Sequence, residues 1–363
     1  MSRLAKEQNA INLSQGFPDF SCAPELTDLV NKAMKAGHNQ YAPMAGIPEL
    51  REQIAAKTKK LYGADYDPDS EITVVPGGTL GLYAAISALV KEGDEVVIIE
   101  PAYDSYVPAI EINGGRPIRA ELTYPDFKID WDELKKIINF RTRMIILNSP
   151  HNPSGTVLDK EGIEQLKKIV SGNDIIILSD EVYEHIIFDG IEHQSMAKYP
   201  ELAERSLIVS SFGKTYHTTG WKMGYVVGPE KLMKEFRKVY QFMAFSAHTP
   251  SQHAYAKILE NEDLYLQLND FYQAKRDLFR NAIADSRFEV LPCSGTYFQL
   301  LSYQNISDQR DTEFAKRLTI ENKVASIPIS VFYLSKRNDH VLRFCFAKED
   351  DTLEKAAEIL CKI

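Results

Sequence analysis

Short apolar runs alternate with segments of helical spacing through the middle of this chain. EITVVP, EVVIIE, RPIRAEL, RMIILN, DIIIL, SLIVSS and GYVVGP give seven strand candidates between residues 71 and 229. Several show little polar alternation, as strands buried on both faces do. Between them lie GGTLGLYAAISALVKEG, YDSYVPAIEING, WDELKKIINF and DKEGIEQLKKIVSGN, each with the apolar spacing of a helix. Gly93 is placed to close the first of these as a glycine cap. Strands alternating with helices predict an α/β layer fold around a mostly parallel seven-stranded sheet.

From about residue 229 the pattern lengthens into polar–apolar helices, broken at FSAHTPSQ. After residue 288 come the strand-like FEVLP, TYFQLLSY and HVLRFCF, then a final helix in DDTLEKAAEILCK. This predicts a smaller α+β domain completed by the N-terminal residues. The expected division is 40–265 for a large domain, with 1–39 and 266–363 forming the small one.

Composition narrows the function. With 363 residues, 44% of them apolar, the chain can bury one large core or two ordinary ones. A net charge of −9 argues against nucleic acid as a general partner. It also requires that any anionic ligand be met by local cations. Cys22, Cys293, Cys345 and Cys361 lack paired metal-ligand spacing and read as reduced, mostly buried thiols, so no metal and a cytoplasmic setting are expected. The longest apolar runs fall far short of a membrane span, and MSRLAKEQNA lacks the apolar core of a signal peptide.

In a sheet of this type ligands lie beyond the carboxyl ends of the strands, so chemically loaded residues should follow the apolar runs. Gly77, Gly78 and Thr79 follow the first and open a helix, where free N–H groups favour an anion. Tyr103 follows the second, and NSPHNPSG, with Asn148 and Asn152, follows RMIILN. Asp180 and Tyr183 follow DIIIL, and Ser211, Lys214 and Lys222 follow SLIVS. Singly, each has an ordinary reading as turn, cap or packing. GKT is not a phosphate loop, because Ile208 stands where that motif needs glycine. One ligand answers for the whole set: pyridoxal 5'-phosphate, which is flat and anionic and links to a lysine as a Schiff base. Lys214 would carry it and Lys222 would neutralise its phosphate.

NLSQGFPDF, NQYAPMAGIPELRE, SDEVYEHIIFDG, SFGKTYHTTGWKMGYVVGP, GTYFQL and IPISVFY resemble the fold-type I, class I/II aminotransferases, most closely the methionine, glutamine and kynurenine branch. The resemblance implies the three-layer fold of pyridoxal-phosphate transferases. It implies that Lys214 forms the covalent link and shuttles a proton, that Asp180 pairs with the ring nitrogen, and that Tyr183 and Asn152 hold the phenolic oxygen. Tyr103 would stack on the ring, and Gly78, Thr79, Ser211 and Lys222 would hold the phosphate. Arg343 would clamp the substrate carboxylate beside Gly16 and Asn152. Tyr41 would reach the neighbouring subunit's phosphate, making a homodimer with shared sites, and Phe245 and Ser246 would line the neighbour's pocket. Relatives commonly carry a further N-terminal segment, absent here, and many use Arg in place of Lys222.

Phe17, Pro18 and Phe20 predict an apolar, aromatic side-chain pocket. Together with the resemblance, this implies transfer of an amino group from an apolar, aromatic or sulfur amino acid (methionine favoured; glutamine, kynurenine, Phe and Tyr also) to a 2-oxo acid by a ping-pong route. A carbon–sulfur β-lyase on the same fold is the alternative. A DNA-binding regulator is disfavoured by the acidic charge and by motifs that begin at residue 11.

Overall fold

The computed structural model describes residues 1–363. All seven predicted strands form, and they join in one sheet. Its order is Ile72–Val75, Gly224–Val227, Ser206–Ser211, Ile176–Asp180, Thr142–Asn148, Glu95–Glu100 and Arg116–Glu121. Only Gly224–Val227 runs antiparallel to its neighbours.

The near-absence of polar alternation has a direct cause. Val96, Ile98, Met144 and Ile146 pack into a core on one face with Leu82 and Ile86 of the helix Gly78–Leu89. Val97, Ile99, Ile145 and Leu147 pack on the other with Ile163 and Leu166 of the helix Lys160–Val170. Successive side chains point to opposite faces, and here both faces are covered. Each buried Val, Ile or Leu contributes roughly 1.5–3 kcal/mol to holding the layers together. The edge strand Arg116–Glu121 has only one neighbour and keeps a half-exposed pattern.

One boundary differs from expectation. The helix beginning at Gly78 ends at Leu89, because Val90 is buried and extended (φ −101°, ψ 135°). Gly93 lies beyond it in a turn, with φ +85° and its N–H donating to the Gly114 carbonyl. Apolar spacing persists through Val90, but that side chain packs as the start of the turn rather than as helix.

The C-terminal third builds a four-stranded antiparallel sheet ordered Ile327–Pro328, Val341–Cys345, Phe298–Ser302 and Glu289–Val290. The N-terminus packs beside it: Ile11–Asn12 pairs in parallel with Val324–Ala325 in a separate two-stranded sheet, and the Cys345 N–H donates to the Leu13 carbonyl at 2.8 Å. The helix Pro24–Lys35 instead sends Leu26 into a core with Ile54, Val74 and Tyr255. Of the cysteines, Cys293 and Cys345 are buried, Cys22 is partly buried and Cys361 is exposed, all as free thiols. No helix is long and apolar enough to cross a membrane, and no cluster of His, Cys, Asp and Glu is arranged to hold a metal.

Candidate active site

The carboxyl ends of the strands converge on one cavity of about 180 Å³, walled by Gly78, Thr79, Tyr103, Asn152, Asp180, Tyr183, Ser211, Lys214 and Lys222 among others. One part of the wall is a donor-rich turn. Gly77 has φ +86°, a conformation open to glycine at little cost, and Gly78 then starts a helix of twelve residues. The first N–H groups of that helix have no partner within it, which favours an anion. A Cβ on Gly77 would sit 3.2 Å from Lys222 Cε, so the glycine also lets the lysine arm cross the turn. Lys222 itself is left-handed (φ +53°), two residues before the strand Gly224–Val227. Ser211 closes the strand Ser206–Ser211, and the Thr79 and Tyr103 hydroxyls lie 3.2 Å apart.

Asp180 lines the same cavity. It is the last residue of a central strand and is buried, and its Oδ2 accepts from the Tyr106 hydroxyl at 2.6 Å. Burial pushes its carboxyl up to about 6, against the Tyr106 hydrogen bond and nearby Lys214, which act the other way. Asn148 ties the adjoining loop down. It donates to the Asp180 carbonyl at 2.9 Å and accepts from the Asn152 N–H at 2.8 Å.

Lys214 also lines the cavity, from the short helix Phe212–Thr215 that follows Ser211. Its Nζ donates to the Tyr297 hydroxyl at 2.6 Å and to the Gly16 carbonyl at 3.2 Å. Burial lowers its pKa to about 8; Arg343 and Lys222 push the same way, while Cys345 and Asp180 oppose them. A lysine near pH 8 can exchange a proton under physiological conditions, unlike one near its usual 10.5.

Arg343, on the strand Val341–Cys345, donates to Asn152 Oδ1 at 2.6 Å and stacks over the Phe298 ring at 3.9 Å. Its Nε is buried and has no partner. A buried guanidinium with an unsatisfied N–H is equipped for a carboxylate, which would satisfy the fork in two places.

This donor set fits pyridoxal phosphate. One cavity brings together N–H groups, hydroxyls and a cation, a buried carboxylate, the Tyr103 ring and an amine of lowered pKa. Tyr183 is buried, with its ring perpendicular to that of Tyr297 at 5.1 Å.

Other predicted residues lie outside the cavity. Tyr41 is 84% exposed, and its ring meets Phe245 edge-on at 5.4 Å. Ser246 bonds the Ala247 carbonyl. Gly16 enters the site through its carbonyl, while Phe17 is partly exposed and its carbonyl accepts from Lys348 at 2.7 Å. Two site residues, Tyr106 and Tyr297, were not expected from the sequence. Tyr106 lies three residues after Tyr103 and opens the helix Tyr106–Ile112. Tyr297 carried no signal beyond its place in GTYFQL.

Known proteins resemble this chain over nearly its whole length. The family model for aminotransferase class I and II matches residues 8–360. Methionine aminotransferase of Escherichia coli (strain K12) is 50% identical over 361 residues, 99% of this chain and 94% of that protein. Kynurenine–oxoglutarate transaminase 1 of Mus musculus is 34% identical over 396 residues, covering 99% and 93%. Among solved structures, E. coli YbdL, described as having a methionine aminotransferase function, superposes with a TM-score of 0.98 at 49% identity, covering 100% of this chain and 96% of that one. N-succinyldiaminopimelate aminotransferase of Mycobacterium tuberculosis gives 0.95 at 36%, covering 100% and 95%.

Proposed function

The chain belongs to the class I and II aminotransferases, and from that premise we propose a methionine-preferring transaminase in which Lys214 is the catalytic lysine. The enzyme moves an amino group from an amino acid to a 2-oxo acid and uses pyridoxal phosphate. When bound, that cofactor supplies an aldehyde that accepts the amino group and an electron-withdrawing ring that acidifies the substrate α-hydrogen. Lys214 bears the cofactor and, when its amine is free, holds the transferred proton at Nζ. Asp180, kept ionised, secures the proton of the ring nitrogen. Tyr183 and Asn152 hold the phenolic oxygen, Tyr103 covers the ring, and Gly78, Thr79, Ser211 and Lys222 hold the phosphate. Arg343 grips the substrate carboxylate beside Gly16.

The observation that carries this reading is the buried Lys214 amine, lowered to about 8, in one cavity with Asp180 and the Gly78 turn. The donor preference rests on the aromatic surface around Arg343, where Phe298 and Phe332 lie 3.9 and 5.1 Å from the guanidinium, with Phe17 next to Gly16 in sequence. Such a surface favours methionine, with kynurenine, Phe, Tyr and glutamine as further donors and aspartate disfavoured. The 50% identical relative bears the name methionine aminotransferase. The enzyme acts in the cytoplasm as a homodimer, with Tyr41, Phe245 and Ser246 serving the neighbouring site.

Steady-state kinetics across these donors with a fixed 2-oxo acid tests the reading. Methionine should give the highest kcat/KM, aspartate the lowest, and reciprocal plots should be parallel. Preference for aspartate would contradict it, as would continuing pyruvate or ammonia release from sulfur amino acids without an acceptor.

A further inference from the structure

Lys214, Tyr297 and Gly16 come from three distant stretches of chain. Lys214 follows a strand of the large sheet, Tyr297 immediately precedes the strand Phe298–Ser302 of the four-stranded sheet, and Gly16 lies in the N-terminal segment. Their polar atoms nevertheless close a triangle. The Lys214 amine donates to Tyr297 Oη at 2.6 Å and to the Gly16 carbonyl at 3.2 Å, and the Tyr297 hydroxyl donates to the same carbonyl. The proton placement follows from these partners. Since the phenol O–H is given to Gly16, the phenol oxygen offers its lone pairs to the amine, and the carbonyl has two lone pairs for two donors.

Tyr297 cannot swing away. It is completely buried, with ring centroids of Tyr183, Phe298 and Tyr272 at 5.1, 4.9 and 5.7 Å. The amine also sits 5.4 and 5.2 Å from the Tyr183 and Tyr297 ring centroids. A neutral lysine amine has two N–H bonds and one lone pair. This cradle takes both N–H bonds and leaves the lone pair uncommitted.

We propose that Tyr297 is a further catalytic residue: with the Gly16 carbonyl it receives the Lys214 amine whenever that amine is free and aims its lone pair at the substrate α-hydrogen. This deepens the transaminase reading and rests on it. As the α-C–H bond breaks, a third N–H bond forms on Lys214, and the C–H electron pair stays with the substrate. That proton would then leave Lys214 for the cofactor's aldehyde-derived carbon rather than return to the substrate, so the lysine ends neutral and unchanged. The charged and titratable groups facing the amine are Asp180, Lys222 and Tyr183 from the large sheet's loops, and Arg343, Cys345 and Tyr297 from the four-stranded sheet. Tyr297→Phe removes one acceptor from that set. An acceptor favours the ammonium over the amine, so its loss lowers the lysine's pH midpoint further.

The test compares wild type with Tyr297→Phe, which keeps the ring and its packing; melting temperature and cofactor content report that the fold is retained. In the holoenzyme, single turnovers with methionine and α-deuterated methionine, without acceptor, should slow by about ten- to a hundredfold, with a larger isotope effect and an unchanged methionine dissociation constant. Independently of turnover, reductive methylation of Lys214 in the full chain after cofactor removal, read by peptide mass across pH 6–10, should show a midpoint lower by about one pH unit. An unchanged midpoint together with an unchanged isotope effect overturns the proposal. Failure of the transaminase reading looks different: no amino acid yields a 2-oxo acid, while the methylation midpoint still reports on Tyr297.

Discussion

The Asp180 carboxyl sits at about 6 in the fold, above the ordinary 3.8, because burial disfavours the anion. A raised carboxyl stabilises the fold at low pH, and that contribution is lost as pH rises from about 3.8 through about 6. Cofactor binding has the opposite need, since a protonated ring nitrogen requires the anion. Affinity for pyridoxal phosphate should therefore rise with pH through about 6 and flatten in Asp180→Asn; equal dissociation constants at pH 5 and 7.5 in wild type would refute this. Tyr106→Phe should move the midpoint upward, because the phenol donates to the carboxylate at 2.6 Å. Lys214 and Asp180 were legible in the sequence because a charge at the end of an apolar strand is costly to bury unless a ligand or a partner meets it. Tyr106 and Tyr297 were not, since a buried tyrosine in an apolar run reads as packing until the fold supplies its partner.

The elements that aim these residues are themselves fastened by buried charge. Glu184, beside Tyr183, accepts from Lys57 at 2.7 Å, Tyr62 at 2.6 Å and Tyr225 at 3.1 Å, tying the helix Pro48–Tyr62 to the loop after Asp180. Burial alone would raise this carboxyl, but Lys57 and the hydrogen bonds hold it far below the usual range. Its stabilisation is thus present above the unfolded value and is lost as pH falls toward the folded one. Lys57→Met should cost about 3–5 kcal/mol in urea unfolding by stranding a buried anion; a loss below about 1 kcal/mol would mean the pair is not a fastening. Gly77→Ala forces a side chain into φ +86° beside Lys222 and should weaken cofactor binding. Phosphate protection against heat, equal in variant and wild type, would count against that role for the turn. Strand positions were readable because both-face burial leaves an unbroken apolar signature. The end of the helix at Leu89 was not, because spacing cannot distinguish a last helical turn from an apolar residue entering a loop.

At the scale of the whole molecule, Tyr41 and Phe245 are exposed and touch each other, and Phe242, three residues before Phe245, is exposed as well. Exposed aromatic groups of this kind mark interaction surfaces. Light scattering should return twice the 41.1 kDa of one chain, and Tyr41→Ala should weaken cofactor retention; a monomer at micromolar concentration would refute the shared site. The layered α/β architecture was legible from alternation alone, whereas the closure of the N-terminus onto the C-terminal sheet was only outlined, since a two-residue strand at Ile11–Asn12 leaves little periodicity. Every role given to the cavity depends on Lys214 bearing the cofactor, and borohydride reduction of the holoenzyme followed by peptide mass mapping reads that bond itself. One pyridoxyl phosphate adduct per chain is expected, on Lys214, and none after saturation with methionine. An adduct on Lys222 or elsewhere, or no adduct at all, would overturn the assignment.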